Sequence, residues 1–280
     1  MGFFKGWAIP GPRLQRDRVD LPPVEADETL DAISGEFRLF QLKKGHRFST
    51  DDVLTAWYGT TLAPSVSTAL DLGSGIGSVG MIAAWRLPGA RFVTIEAQDE
   101  SVRLARKSAN YNELLGRYEI RQGDFRDPGL LAPEERFELI LGSPPYFPLD
   151  AGVLGDHPQK VACRFETRGD VGDYCRVAAA HLAPGGLFAC VFPIQPHQIS
   201  RVRSGARDAG LTITKWRPVC LKEGEPPLLG VFAMVVSTDL PEAFRERLEV
   251  KEPVLVIRLA DGTISPEYST VKMSVGFPPA

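Results

Sequence analysis

From Thr68 onward the chain alternates between short apolar runs and helical stretches. "TALDLG" reads as a strand, "SVGMIAAWRL" as a helix, "RFVTIE" as a second strand and "DESVRLARKSANYNELL" as a second helix. Strands "YEIRQ" and "RFELIL" follow, then helix "DVGDYCRVAAAHL", an "APGG" turn, strand "LFACVF" and helix "HQISRVRSGARDAG". Alternation with turns this short requires parallel strands crossed over by helices, so the expected fold is α/β, a mostly parallel sheet with helices on both faces. The last two strand runs, "LTITKWRPV" and "LGVFAMVVS", leave no room for a helix between them, which predicts an antiparallel edge strand. No internal repeat or low-complexity run interrupts the pattern.

The N-terminal side is organised differently. The first 25 or so residues, rich in Pro, Gly and Arg, read as an irregular arm. "EFRLFQLKKGHRF" alternates as a strand or hairpin, and Ser49 or Thr50 can cap a helix with Asp51 and Asp52 in its first turn, where carboxylates favour the dipole. Three parts are expected: 1–60 as arm, hairpin and capping helix, 61–240 as the main domain, and 241–280 as a C-terminal extension.

Composition narrows the class. No apolar run reaches membrane-spanning length, the apolar start is too short for a signal peptide, and Gly6 stands where N-myristoylation needs Ser or Thr. Cys163, Cys175, Cys190 and Cys220 form no C-x-x-C pair and no metal-like cluster with histidine, so they read as buried free thiols in a reducing cytosol. A cytoplasmic protein without metal or membrane partner is expected. Net charge is −3, yet residues 38–47 and 201–217 are locally basic. Such segments are either phosphate-binding faces or solvated helix and hairpin surfaces, and the charge pattern leaves both open.

"LDLGSGIGSVG" follows the first strand and opens a helix, so Gly73, Gly75 and Gly77 permit a tight turn and close approach of backbone to ligand. Glu96, at the end of the second strand, stands where an acid would bind a ribose. The loop alone fits both a nicotinamide dinucleotide and S-adenosylmethionine (AdoMet). Asp71, just before the glycines, can face a cationic ligand end; AdoMet carries an ammonium and a sulfonium, whereas a pyrophosphate would be repelled. "GDF" follows the third strand, where Asp124 can accept from an adenine amino group or cap the next turn.

"SPPYF" ends the fourth strand. Pro144 and Pro145 lock φ and donate no amides, so this spot presents carbonyls to the crevice beyond the strand ends. An exocyclic amine is a poor nucleophile because its lone pair is delocalised. Two acceptors on its two N–H groups, the Ser143 hydroxyl and the Pro144 carbonyl, draw it toward tetrahedral geometry, and Tyr146 offers a face for stacking the base.

These residues resemble AdoMet-dependent amino-methyltransferases with an N/D/S-P-P-Y/F/W motif, and most closely the bacterial group that methylates adenine N6 in a valine tRNA. The resemblance covers about residues 28–240 and rests on "ETLDAISGEFRLFQLKKGHRFSTDDVLTAW", "LDLGSGIGSVGMIAA", "IEAQDESVRLARKSAN", "GDF" and "SPPYF". It implies a Rossmann-like seven-stranded methyltransferase sheet, with Asp71, Gly73, Gly75, Gly77, Glu96, Asp124 and Phe125 around AdoMet. Ser143, Pro144, Pro145 and Tyr146 are the implied catalytic motif, and structured RNA, a tRNA, is the implied substrate. "GHRFSTD" is similar to that group's cofactor-closing segment. Ser143 stands where the family usually has Asn, and "CRFETR", with Arg164 and Arg168, matches its basic segment only loosely. Methylation of a protein glutamine (N5), of guanine N2 or of cytosine N4 follows the same chemistry. A binding protein that no longer turns over is the reading outside enzymes.

Overall fold

The structure is a computed structural model that describes residues 18, 20–147, 157, 159, 161, 163, 165–245 and 248–277, with the backbone alone of Gly2–Phe4 and Trp7–Ile9. The latter two segments, β1 and β2, form a short antiparallel ladder. The remaining strands in chain order are β3 (Glu28–Ser34), β4 (Phe37–Leu42), β5 (Thr68–Leu72), β6 (Arg91–Glu96), β7 (Tyr118–Gln122) and β8 (Phe137–Gly142). β9 (Leu182–Pro193), β10 (Leu211–Lys222), β11 (Leu229–Val236), β12 (Val250–Lys251) and β13 (Leu255–Arg258) follow. The helices are α1 (Thr50–Leu62), α2 (Ser78–Arg86), α3 (Asp99–Tyr111), α4 (Val171–His181), α5 (Pro196–Asp208) and α6 (Pro266–Ser274).

Seven long strands run in the order β7-β6-β5-β8-β9-β11-β10. The first five are parallel; β11 is antiparallel to both β9 and β10, inserted just inside the edge. This is the expected α/β sheet, with β12 and β13 adding short parallel pairings outside β10. Side-chain alternation explains why both faces need helices. On β8, Leu139 and Leu141 join one apolar cluster with α1, α2 and α3, while Ile140 joins another with α4 and α5.

Local chemistry accounts for the boundaries. Ser49 caps α1, and Ser49 and Asp52 close a reciprocal capping box. α3 stops at Tyr111, short of the expected 115, where Glu113 turns left-handed (φ +56°) and the Leu114 amide bonds back to the Ala109 carbonyl (2.9 Å); the Asn112 side chain ties this end to the amide and carbonyl of Arg38 on β4. The expected "APGG" turn is a bulge inside β9: pairing jumps from Leu182 to Leu187 while β8 advances only from Phe137 to Leu139. β3 escaped the sequence reading; it pairs with β4, and the hairpin is held to α3 by Glu28, whose buried carboxylate receives both Arg103 (2.7 Å) and Lys107 (2.6 Å). Residues past 240 also pack inward. Glu252 accepts from the Tyr58 hydroxyl (2.7 Å), and the Gly276 carbonyl accepts from the Gly35 amide (2.9 Å). Among the described residues no helix is long and apolar enough to cross a membrane.

Candidate active site

β5, β6, β7 and β8 all end at one rim, and the loops beyond them enclose a cleft with the N-terminal end of α1. Ligands of open α/β sheets bind at this location. The glycine loop forms the floor. Gly73, with φ +60°, passes so close to α4 that a Cβ there would lie 2.1 Å from the Tyr174 hydroxyl oxygen. Gly75, with φ +56°, has no atom of a described residue within 4 Å of where a Cβ would stand, so its backbone borders the cleft. Gly77 does not line the cleft; it is the left-handed N-cap of α2, behind the loop.

Two acids shape this loop. Asp71 is 0% exposed; its Oδ2 accepts the Gly80 amide (2.8 Å), so a strand carboxylate caps α2. Among the described residues its Oδ1 has no hydrogen-bond partner, and neither does the buried Ser74 hydroxyl. Glu96 accepts the Gly75 amide at 2.9 Å through Oε2 and the Gln98 amide at 2.7 Å through Oε1. Burial raises the pKa of both acids, Asp71 well above the usual carboxylate range.

Asp51 and Asp52 are site residues that sequence reasoning missed, having taken them as dipole partners. Both line the cleft from the first turn of α1. Asp52 is 7% exposed and accepts from the Ser49 amide (2.9 Å). Burial pushes both carboxyls up to about 6, Asp51 with a further push from Asp52. The signal was Asp51 itself, the last residue of the "GHRFSTD" segment that resembles a cofactor-closing loop, with Asp52 beside it. Asp51, Asp52, Asp71, Glu96 and Asp124 thus face Arg168, the sole Lys or Arg among the described lining residues.

Asp124 lines the cleft, but its carboxylate is engaged: Oδ1 accepts the Arg126 amide (3.0 Å) and Oδ2 pairs with the Arg126 guanidinium (2.6 Å). Asp124 thus closes its own turn while its carboxylate also lines the cleft. Phe125 is buried edge-on against Tyr174, centroids 4.6 Å apart. Ser143, Pro144, Pro145 and Tyr146 follow β8 at the mouth, with Tyr146 half-buried beside Phe147 at 4.8 Å. Arg164 lies outside the described residues.

The basic segments are largely neutralised within the fold. Arg201 pairs with Glu166, Arg203 with Glu249, Arg217 with Glu267 and Arg47 with Asp31. Of the two readings left open by the charge pattern, paired surface is what the structure contains at these four arginines.

Comparison with known proteins follows this geometry. Residues 49–153 match the family model "Methyltransferase small domain". The chain is 33% identical over 162 residues to a tRNA1(Val) (adenine(37)-N6)-methyltransferase of Porphyromonas gingivalis, covering 56% of this chain and 63% of that protein. It is 32% identical over 85 residues to a release factor glutamine methyltransferase of Aliivibrio fischeri, covering 30% of this chain and 29% of that protein. The chain therefore spans less than two thirds of either relative. Among solved structures, a predicted O-methyltransferase from Agrobacterium tumefaciens superposes with TM-score 0.58 at 18% identity, over 82% of this chain and 98% of that one. At that identity the likeness is one of fold. Residues 49–153 thus match the methyltransferase small-domain model, in a chain that shares the fold of the Agrobacterium protein.

Proposed function

We propose that the protein is an AdoMet-dependent N-methyltransferase that modifies the exocyclic N6 of an adenine in structured RNA, a tRNA. The observation that carries the reading is one cleft with a buried carboxylate oxygen, Asp71 Oδ1, that has no hydrogen-bond partner among the described residues, and the "SPPY" segment at its mouth. A buried acceptor without a donor calls for one, and the ammonium of AdoMet supplies it. Glu96 keeps lone pairs for ribose hydroxyls, and Gly75 leaves room for the ligand to lie against its backbone. AdoMet when bound supplies an electrophilic methyl. The chain's own task is to present the amine: Ser143 and the Pro144 carbonyl accept its two N–H groups, and Tyr146 stacks the ring. No strong base is required, since the proton leaves readily after methylation.

The adenine target is supported by the Porphyromonas relative's name and by the aromatic face of Tyr146. The second reading, transfer to a glutamine amide in a protein, is favoured by the match to a release factor methyltransferase and by the internal pairing of the basic segments. Nucleoside mass spectrometry after incubation with unmodified tRNA and AdoMet tests the choice. N6-methyladenosine is expected. An unmethylated tRNA together with methylated release-factor protein would overturn the RNA assignment.

A further inference from the structure

Between Gly142 and Phe147 the chain has no regular structure of its own, and two of its residues carry no amide, so the segment needs outside support. α5 provides it. Gln198, 7% exposed, donates through Nε2 to the Tyr146 carbonyl at 3.1 Å. Its amide oxygen accepts from Arg201, one turn further along α5, at 3.0 Å. The same guanidinium binds the Glu166 carboxylate at 2.5 Å, and the Glu166 backbone amide donates to the Phe147 carbonyl at 3.0 Å. A closed relay therefore holds two consecutive carbonyls, those of Tyr146 and Phe147, from both ends of one arginine. Phe192 of β9 forms the floor beneath it: Tyr146 meets its ring edge-on at 6.3 Å, and the Arg201 guanidinium lies 5.7 Å from its centroid.

We propose that Gln198, oriented by Arg201 and Glu166, is a positioning residue that fixes the direction in which "SPPY" presents its carbonyls and the Tyr146 ring; its effect on turnover rests on the transfer reaction assigned above. The relay explains why a buried glutamine stands on α5 and gives Arg201 a use other than phosphate binding. It touches neither the glycine loop nor the α1 carboxylates, so AdoMet affinity is independent of it. A main-chain hydrogen bond of this kind is worth about 0.5–1.5 kcal/mol, roughly a two- to tenfold effect.

Hydrogen exchange in the full chain decides the positioning without any substrate. In Gln198→Met and Arg201→Met, the Glu166 amide that holds the Phe147 carbonyl should exchange several-fold faster, with peptides over the glycine loop unchanged. Unchanged exchange at Glu166, or a rise spread evenly over the molecule with a lower melting temperature, would overturn the proposal. Single-turnover methylation reads the consequence. Gln198→Met should lower the rate roughly two- to tenfold at unchanged AdoMet Kd, and should cost less when Tyr146→Ala has already removed the platform, as expected of coupled residues. An equal cost in both backgrounds counts against the relay. A parent protein that methylates neither RNA nor protein would refute the proposed reaction, while the exchange result would still decide the relay.

Discussion

The Asp71 carboxyl keeps Oδ2 on the Gly80 amide and, among the described residues, leaves Oδ1 without a partner at full burial, so its two oxygens have separable roles. Asparagine can keep the first and not the second. Asp71→Asn should therefore fold with a melting temperature no lower than the parent's, because a buried acid with a raised pKa is removed. Its AdoMet affinity should fall by roughly 10- to 150-fold, the worth of a charged hydrogen bond of about 1.5–3 kcal/mol. Calorimetry showing parental affinity would refute the cofactor site. At the mouth, Tyr146→Ala removes a stacking face worth about 1–3 kcal/mol, so tRNA methylation should slow about tenfold or more at unchanged AdoMet Kd. Ser143→Ala removes one of the two acceptors and should slow transfer with little change in RNA affinity, and Ser143→Asn should keep or raise it. Parental rates in both alanine variants would place the chemistry elsewhere.

At the scale of elements, the β5–α2 turn separates two glycines that look alike in the sequence. Both have positive φ, so alanine carries a backbone cost of roughly 1–2 kcal/mol at either. Only at Gly73 does the new methyl meet protein, the Tyr174 hydroxyl at 2.1 Å; at Gly75 it enters the cleft. Gly73→Ala should thus lower thermal stability more than Gly75→Ala, and Gly75→Ala should lose AdoMet binding beyond its loss of stability. Melting curves with and without AdoMet distinguish the two, and equal stability losses would contradict the packing of α4 against the loop. The β3–β4 hairpin depends in the same way on α3, through Glu28 with Arg103 and Lys107 and through Asn112 with Arg38.

Over the whole molecule, the acids divide into two sets that respond to different pH ranges. Asp51 and Asp52 have folded-state values raised to about 6 by burial, above their unfolded values, so the folded chain holds their protons more tightly. Their destabilising effect is complete above pH 6 and is relieved as pH falls toward 4. Glu100 and Glu135 are held low by Arg103 and Arg121, so their stabilisation is lost only below the ordinary carboxylate range. Between pH 7.5 and 5 the first set dominates: the ligand-free protein should melt higher at pH 5, while AdoMet should bind more weakly there. Binding at pH 6 should release protons, read from calorimetry in buffers of different ionisation enthalpy; proton uptake would contradict ionisation of the cleft acids Asp51, Asp52 and Asp71 against a cationic ligand. Salt dependence belongs to this scale too. With Arg203 already on Glu249, Arg203→Ala should leave the log–log salt slope of RNA binding nearly unchanged, whereas loss of a true phosphate contact lowers it by about 0.9. Periodicity and turn residues act locally, so the sequence alone carries the order of strands and helices from residue 68 to 236 and the strand-end rim at which Asp71, Glu96, Gly73, Gly75 and "SPPY" line one cleft. Tertiary structure decided the rest. Arg126 claims Asp124, the acids at Glu166 and Glu249 claim Arg201 and Arg203, and α1 turns Asp51 and Asp52 into the cleft. Each outcome depends on which charge folding brings within a few ångströms of another, and spacing along the chain does not carry that distance.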